Sequence, residues 1–198
     1  MNGAAAELRR NIRRRRAQLD ATQINAASLA IARRAWRLPE LQRARRIGVY
    51  LATGGEVDCD VFIERAWQRG RLTFAPILRG NSLMFAPLQP GCRLNKNAYG
   101  IFEPAYKRTQ LLQCRQLDVA LVPLVAADKH LNRLGMGGGY YDRAFAYRMH
   151  RSAWGKPSLV GLGYSFQRVA RLTPDAWDVP LDRLLTETEC LSAPRYHG

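Results

Sequence analysis

Glycine and charged side chains are concentrated between Arg133 and Arg143. Four glycines lie within five positions there, at 135 and 137–139. Glycine occurs at that density where the backbone must approach another molecule or adopt positive φ angles. Backbone N–H groups at the start of a helix bind anions, and the two arginines add positive charge for phosphate. Asp142 can hold a metal ion beside them, so the segment is predicted to bind a nucleotide triphosphate.

The segment matches neither of the common nucleotide-binding patterns. The dinucleotide pattern Gly-x-Gly-x-x-Gly fails because Tyr140 stands at its last position, and the Gly-Lys-Ser/Thr ending of a Walker A loop is absent. Tyr140 and Tyr141 follow the glycines directly. Neighbouring residues on a helix point about 100° apart. One ring can therefore stack on a heterocycle while the other packs inward, and ordinary packing of both rings is the alternative.

Strands and helices alternate along the chain around this segment. An apolar strand over residues 119–125 leads into the glycines, and a helix is predicted from 140 to about 151. Further strands are predicted at 47–51, 72–75, 83–86, 159–163 and 184–186, with Pro76 and Pro87 ending the second and third of them. The alternation predicts a three-layer α/β/α, Rossmann-like fold with a mostly parallel sheet, in which ligands collect at the carboxyl ends of the strands.

Helices precede and follow the first strand. A basic helix is predicted over residues 7–19, and Asp20 is predicted to cap a second helix through a capping box with Gln23. That helix ends near residue 37, and another begins at Asp58 or Asp60 and ends at Gly70. We expect one domain over residues 1–198, with a basic helical segment at 1–38 and an α/β core at 45–190.

Composition narrows the class of protein. The formal net charge is +15 at pH 7, from 31 Lys and Arg against 16 Asp and Glu, which favours an anionic ligand. The four cysteines are scattered without a Cys-x-x-Cys pair, which disfavours a zinc site and a disulfide framework. No apolar run approaches the roughly 18 residues of a membrane span, and the N-terminus lacks a secretory signal. A cytoplasmic protein without a membrane partner is expected.

Taken in order, the motifs resemble those of the 5-formyltetrahydrofolate cyclo-ligase family, also called 5,10-methenyltetrahydrofolate synthetases. The stretch 133–143, preceded by 122–128, is the most specific of them. The other segments that resemble family motifs are the basic first helix with Leu8, Arg9, Arg13 and Arg16, and residues 50–58, 97–104 and 177–182. The resemblance covers about residues 5–187.

The resemblance implies a reaction. 5-Formyltetrahydrofolate is cyclised to 5,10-methenyltetrahydrofolate through phosphorylation of its formyl oxygen by ATP, with Mg²⁺ bound and with ADP and phosphate released. It implies catalytic roles for Arg133, Tyr140 and Asp142, and metal binding by Asp142 and Asp178. The implied folate-binding residues are Leu51, Glu56, Met136, Gly137, Gly138, Gly139 and Tyr140. The implied ATP-binding residues are Arg9, Arg13, Arg133, Leu134, Gly135, Met136, Gly137, Gly138, Gly139, Tyr140 and Tyr141.

One position departs from the family pattern. Arg9 matches a basic residue that approaches the ATP phosphates, but the second basic residue, four positions earlier, is Ala5 here. Arg10 or Arg13 is the candidate to replace it.

Two other functions stay open. Twelve of the basic residues precede Ile47, which fits a nucleic-acid-binding protein, although no recognisable module accompanies them. A sugar-phosphate or coenzyme A enzyme on a similar scaffold is the second alternative, because a fold alone does not decide function. Folate and ATP are the expected partners, nucleic acid is not, and a monomer is expected.

Overall fold

The helices of the protein cluster in the N-terminal third of the chain. A computed structural model describes residues 3–97, 100–150 and 156–193. Its helices are α1 (Gly3–Arg16), α2 (Ala21–Ala35), α3 (Pro39–Arg43), α4 (Asp60–Gln68) and α5 (Tyr140–Phe145). Asp20 caps α2: its carboxylate accepts from the backbone N–H of Gln23 at 2.8 Å, and the Gln23 side chain accepts from the backbone N–H of Asp20 at 3.0 Å, as predicted. No helix in these described ranges is long and apolar enough to cross a bilayer.

The strands are short. They are β1 (Arg46–Gly48), β2 (Leu72–Arg79), β3 (Ser82–Leu88), β4 (Leu94–Lys96), β5 (Phe102–Pro104), β6 (Val119–Pro123), β7 (Ala126–Ala127), β8 (Arg133–Leu134), β9 (Ser158–Leu162), β10 (Arg183–Leu185) and β11 (Cys190–Ser192). Seven of them form one sheet in the order β11-β10-β9-β6-β1-β2-β3, while β4 pairs with β5 and β7 pairs with β8. The five inner strands are parallel, and only the two edge strands run antiparallel.

Both faces of the sheet are covered. Along β6, Val119 and Leu121 belong to the core under α2, α3 and α4, whereas Ala120 and Val122 belong to the core under α5. Alternate residues of a strand point to opposite faces, so a continuous apolar strand fits a sheet buried on both sides. The predicted mostly parallel α/β/α architecture is confirmed.

The prediction that prolines end two strands is wrong. β2 continues through Pro76 to Arg79, and β3 includes Pro87. Pro76 pairs with Phe85, whose own backbone N–H and C=O bond to Leu112 on the outer side. The missing N–H of Pro76 therefore points toward β1, which has already ended. Pro87 lies on an edge strand, where a missing donor is tolerated.

Several element boundaries also differ from the predictions. The first helix spans 3–16 rather than 7–19, and the first strand stops at Gly48. The helix from Tyr140 ends at Phe145 and continues as a 3₁₀ turn over Ala146–His150. Within this turn the Arg148 guanidinium pairs with Asp182 at 2.8 Å. The short helix α3, the hairpin β7–β8 and the last strand β11 were not predicted.

Candidate functional site

The site lies where the order of the parallel strands reverses. β1 pairs with β2 on one side and with β6 on the other, so the chain leaves β1 in one direction and returns on its opposite flank. Crevices that bind ligands form at the carboxyl ends of the strands at such a point. Leu51 follows β1, the hairpin β7–β8 follows β6, and Tyr164 follows β9, all at this edge of the sheet.

A buried carboxylate holds the hairpin β7–β8 in shape. Asp128 is fully buried, and its two oxygens accept from the backbone N–H groups of His130, Asn132 and Leu172 and from the Asn132 side chain, at 2.9–3.1 Å. Burial alone would raise the pKa of Asp128, but these hydrogen bonds outweigh it and lower the pKa. The hairpin places Arg133 and Leu134, which form β8, directly before the glycines. The Leu134 C=O accepts from the Val125 N–H at 2.7 Å, which holds this strand in position.

The glycine loop (residues 135–139) requires glycine at two positions where the backbone adopts a positive φ angle. Gly137 and Gly139 have φ angles of 104° and 61°, which other residues rarely adopt. Gly139 is the residue before α5, so the loop ends at a helix N-terminus, where free N–H groups favour an anion. The Arg9 guanidinium donates from Nε to the Gly135 carbonyl at 2.8 Å. The guanidinium carbon of Arg9 would lie 3.9 Å from a Cβ atom placed on Gly137, so α1 packs directly against the loop.

Arg133 and Asp142 close the base of the loop. Arg133 Nη2 donates to Asp142 Oδ1 at 2.6 Å, and both side chains are largely buried. The same oxygen accepts from the backbone N–H of Val179 at 3.1 Å, which ties the 175–179 segment to the site. Asp178 is held there by the Asp175 N–H at 2.9 Å. Burial and the nearby carboxylates of Asp142 and Asp175 raise the pKa of Asp178.

This pair of carboxylates suits a divalent cation. In the described part of the chain, the recorded hydrogen bonds to Asp142 fall on Oδ1. Mg²⁺ in phosphate-transfer sites is held by one or two carboxylates together with phosphate oxygens. Burial and then repulsion from Asp142 and Asp175 raise the pKa of Asp178, and a bound cation would relieve that repulsion. Asp142 and Asp178 therefore fit such an ion, although three acidic, histidine or cysteine side chains do not gather anywhere in the described ranges.

The two tyrosines make different contacts. Tyr140 carries the Arg143 guanidinium over its ring, at 4.9 Å from the centroid. Tyr141 packs inward against Phe145, with ring centroids 6.1 Å apart. The Tyr141 hydroxyl is buried and lacks a hydrogen-bond partner within the described residues. Burial raises the pKa of Tyr141, and the negative charge of Glu56 raises it further.

Glu56 lies in a turn of residues 53–56 at the far side of the site. Its Oε2 accepts from the Thr53 N–H at 3.1 Å, and its Oε1 lies 3.7 Å from Nη1 of Arg16. Burial raises the pKa of the Glu56 carboxyl, and the Thr53 hydrogen bond and the Arg16 charge offset this only in part. Tyr164 donates its hydroxyl to the Glu56 carbonyl at 3.2 Å. Leu51 lies half-buried after β1 and packs against the core.

One cleft lies between the basic first helix, the 53–55 turn and Met136 of the glycine loop. It has a volume of about 790 Å³, which suits ligands of nucleotide or folate size. The lining residues are Arg10, Arg13, Arg14, Arg16, Ala17, Leu19, Ile24, Thr53, Gly54, Gly55 and Met136. Arg10 and Arg13, the two candidates to replace the basic residue at Ala5, both face this cleft. Met136, which is 55% exposed, brings the glycine loop to its wall.

Sequence reasoning missed three residues that shape the site. Arg16 was noted only as part of a basic helix, yet it is among the two buried residues of α1. Asp128 lies in the motif segment 122–128, which assigns it no role, and no sequence pattern points to Tyr164. A signal existed for Asp128, because aspartate in a turn commonly accepts from the backbone N–H two residues on, as Asp128 does from His130. The middle motif 97–104 includes residues 98 and 99, which lie outside the described ranges.

Comparison with known proteins agrees with the geometry. The model of the 5-formyltetrahydrofolate cyclo-ligase family matches residues 2–187. The chain is 35% identical to the 5-formyltetrahydrofolate cyclo-ligase of Haemophilus influenzae, over 90% of this chain and 95% of the relative. It is 33% identical to the Escherichia coli K12 protein of the same name, over 90% and 97%.

Solved structures give the same result. An Aquifex aeolicus 5,10-methenyltetrahydrofolate synthetase superposes with a TM-score of 0.81 and 30% identity, covering 98% of this chain and 95% of that one. A synthetase from Mycoplasma pneumoniae gives a TM-score of 0.71 and 25% identity, covering 92% and 98%. The chain, in which Met136 of the glycine loop and the 53–55 turn line one cleft, belongs to the 5-formyltetrahydrofolate cyclo-ligase family.

Proposed function

We propose that the protein closes the ring of 5-formyltetrahydrofolate in this cleft, with ATP on the glycine loop and the folate ring on Glu56. Ring closure to 5,10-methenyltetrahydrofolate is the activity of the family to which the chain belongs. The observation that supports this placement is that Met136 of the glycine loop and Gly55, next to Glu56, line the same cleft. Both substrates can therefore be held side by side, which direct transfer between them requires.

The reaction must remove the formyl oxygen of the substrate, which is a poor leaving group. Transfer of the terminal phosphoryl group of ATP to the formyl oxygen yields ADP and an imidate-like phosphate. Folate N10 then forms a bond to the formyl carbon and loses its proton, and the bond from that carbon to the phosphorylated oxygen breaks to release phosphate. Each step exchanges one bond for another within the substrates, so a covalent intermediate on the protein is not needed. The protein contributes positioning and stabilisation of charge.

The phosphates are the part of ATP that the glycine loop suits. Its backbone N–H groups and the helix start at Tyr140 present positive potential, and Arg9 and Arg133 stand on either side. Arg133 is assigned to the charge of the transferring group, because its guanidinium is buried and its Nε has no partner among the described residues. Tyr140 and Tyr141 are assigned to the nucleotide side of the loop, where one ring can stack on a planar group.

The folate ring is assigned to the Glu56 side. A pterin presents N–H donors along one edge, and a carboxylate accepts two of them at once. Leu51 supplies apolar contact next to it, and Met136 to Tyr140 lie between the two substrates. The magnesium proposal rests on Asp142 and Asp178, whose bound cation would neutralise phosphate charge.

The protein is further proposed to act as a monomer in the cytoplasm. All four cysteines, Cys59, Cys92, Cys114 and Cys190, are free thiols, as a reducing compartment favours. Size-exclusion chromatography with light scattering tests the monomer.

A labelled substrate tests the proposed reaction. Purified protein is incubated with MgATP and 5-formyltetrahydrofolate whose formyl oxygen is ¹⁸O, and the absorbance of methenyltetrahydrofolate is followed. We expect ADP, phosphate and product in equal amounts, with the label in the phosphate. Unlabelled phosphate would contradict phosphorylation of the formyl oxygen, and absence of product would contradict the function. Family membership favours this reaction over the nucleic-acid-binding and the sugar-phosphate or coenzyme A alternatives.

A further inference from the structure

Arg16 is a charged residue in a buried position, where an uncompensated charge destabilises the fold. It ends α1 and is 3% exposed, whereas its neighbours Arg13, Arg14 and Arg15 face solvent. Its Nε and Nη1 atoms are buried without a hydrogen-bond partner in the described part of the chain. A buried guanidinium with unpaired N–H groups destabilises a fold unless a nearby charge compensates. The recorded ion pair of Arg16 is with Glu56, at 3.7 Å.

The turn that carries Glu56 is built against Arg16. Gly54 and Gly55 have φ angles of 55° and 73°, which bend the chain back toward α1. A side chain on Gly55 would lie 3.1 Å from the Arg16 carbonyl oxygen, so only glycine allows this approach. The approach leaves one Glu56 oxygen on the Thr53 N–H and the other opposite the Arg16 guanidinium. Glu56 is thereby hydrogen-bonded through one oxygen and ion-paired through the other.

We propose that Arg16 is a positioning residue, which holds the Glu56 carboxylate charged and oriented for the folate ring. The inference rests on the proposed function. An ionised carboxylate accepts two N–H donors, whereas a protonated one offers less acceptor capacity. Arg16 therefore acts on folate binding through Glu56, and ATP binding on the glycine loop does not depend on it.

Burial favours the neutral form of the Glu56 carboxyl, whereas the Thr53 hydrogen bonds and the Arg16 guanidinium favour the charged form. The titratable groups around it are Tyr50 after β1, Cys59 before α4, Tyr141 on α5 and Tyr164 after β9, which stay neutral at pH 7 because burial raises their pKa. Asp58 lies two residues along the chain. Three further arginines, Arg10, Arg13 and Arg14, line the same cleft, but the recorded ion pair of Glu56 is with Arg16. Removal of Arg16 therefore shifts Glu56 toward protonation.

A double-mutant cycle tests whether Arg16 acts through Glu56. Arg16→Met, Glu56→Gln and the double variant are compared with Arg33→Met, which removes a solvent-facing arginine of α2. Arg16→Met is expected to raise the folate KM about 10-fold or more and to leave the ATP KM within about 2-fold. The double variant is expected to match Glu56→Gln alone, because Arg16 has nothing left to position. Additive losses, or an equal rise in both KM values, would overturn the proposal.

A second readout needs neither folate nor activity. The ¹³C shift of the Glu56 side-chain carboxyl is followed against pH in the protein without substrates. Its midpoint is expected at higher pH in Arg16→Met than in the wild type, and unchanged in Arg33→Met. An unmoved midpoint in Arg16→Met refutes the pairing. This titration decides the pairing even if the wild type forms no methenyltetrahydrofolate, an outcome that would reject the function alone.

The conservative variant keeps the test valid if Arg16→Met does not fold. Arg16→Lys retains the charge and the apolar stem, but it offers a point charge in place of a planar fork. It is expected to keep the Glu56 titration close to that of the wild type and to raise the folate KM less than Arg16→Met does. In the Glu56→Gln background it is expected to change the folate KM by less than about 2-fold. A larger change there would show a role that does not pass through Glu56.

Discussion

Arg9 and Gly135 are joined by a hydrogen bond, from Nε to the carbonyl oxygen at 2.8 Å, across 126 positions of sequence. The bond fixes the basic first helix on the glycine loop. It uses the carbonyl of the loop, which leaves the loop N–H groups free to bind an anion. The charge of Arg9 therefore lies where phosphate is expected, and the helix becomes a wall of the site.

Arg9→Gln is expected to raise the ATP KM by about 10-fold, in line with the loss of a hydrogen bond to a charged group. The folate KM is expected to change little, because Glu56 lies at the other side of the cleft. Steady-state kinetics with each substrate varied in turn measures both values. Arg33→Gln, on the solvent face of α2, is the matched control and is expected to behave like the wild type. An unchanged ATP KM in Arg9→Gln would refute the contact with phosphate.

Asp178→Asn is expected to lower the apparent affinity of the protein for Mg²⁺ in the reaction by about 10- to 100-fold. The amide lacks the charge that attracts the cation, so activity should return in part as the Mg²⁺ concentration rises. Asp175→Asn is the control, since it removes a carboxylate from the same segment without removing one assigned to the metal. Titration of Mg²⁺ with a non-hydrolysable ATP analogue gives a second measure. Equal effects of the two substitutions would argue against a metal role for Asp178.

Gly139→Ala separates strain from function. Gly139 has a φ of 61°, and Gly70, after α4, has a φ of 64° far from the site. An alanine at either position is expected to lower the free energy of unfolding by about 1–2 kcal/mol, because of the left-handed backbone. The alanine at 139 would also lie 2.9 Å from the Arg143 guanidinium. Only Gly139→Ala should raise the ATP KM, and a matching rise in Gly70→Ala would mean that lost stability explains both.

Asp128→Asn is expected to lower the free energy of unfolding by about 1–3 kcal/mol at pH 7. In the variant, the side-chain amide nitrogen of the new asparagine would face N–H donors that bond to a carboxylate oxygen of Asp128 in the wild type. The native pKa of Asp128 is lowered, so its stabilisation is complete above the unfolded pKa of about 3.9 and is lost as pH falls through the native value.

Urea unfolding at pH 7 and in steps down to pH 3 measures this difference. The gap between wild type and Asp128→Asn should narrow in acid. Asp20→Asn, at the exposed cap of α2, exchanges one good capping residue for another and should stay within about 0.5 kcal/mol of the wild type. A gap that stays constant with pH would show that the Asp128 charge does not stabilise the hairpin.

Much of the fold could be predicted because local rules determined it. The capping box at Asp20, the glycine after α4 and the apolar run of β6 each have one favoured structure. The prediction that Pro76 and Pro87 end their strands was wrong because a proline is tolerated where no neighbouring strand needs its backbone N–H. Pro76 is tolerated only because β1 has ended beside it, and sequence alone does not give the length of a neighbouring strand.

The sequence by itself determined the alternation of strands and helices, the glycine loop and the family, since these depend on residues close together in the chain. Only the tertiary structure decided that Arg9 meets Gly135, that Arg133 pairs with Asp142 beside Val179, and that Arg16 is buried against Glu56. In a run of four arginines the sequence does not show which one turns inward. That choice depends on which face of α1 the sheet edge and the Gly54–Gly55 turn cover, and burial is a property of the whole fold.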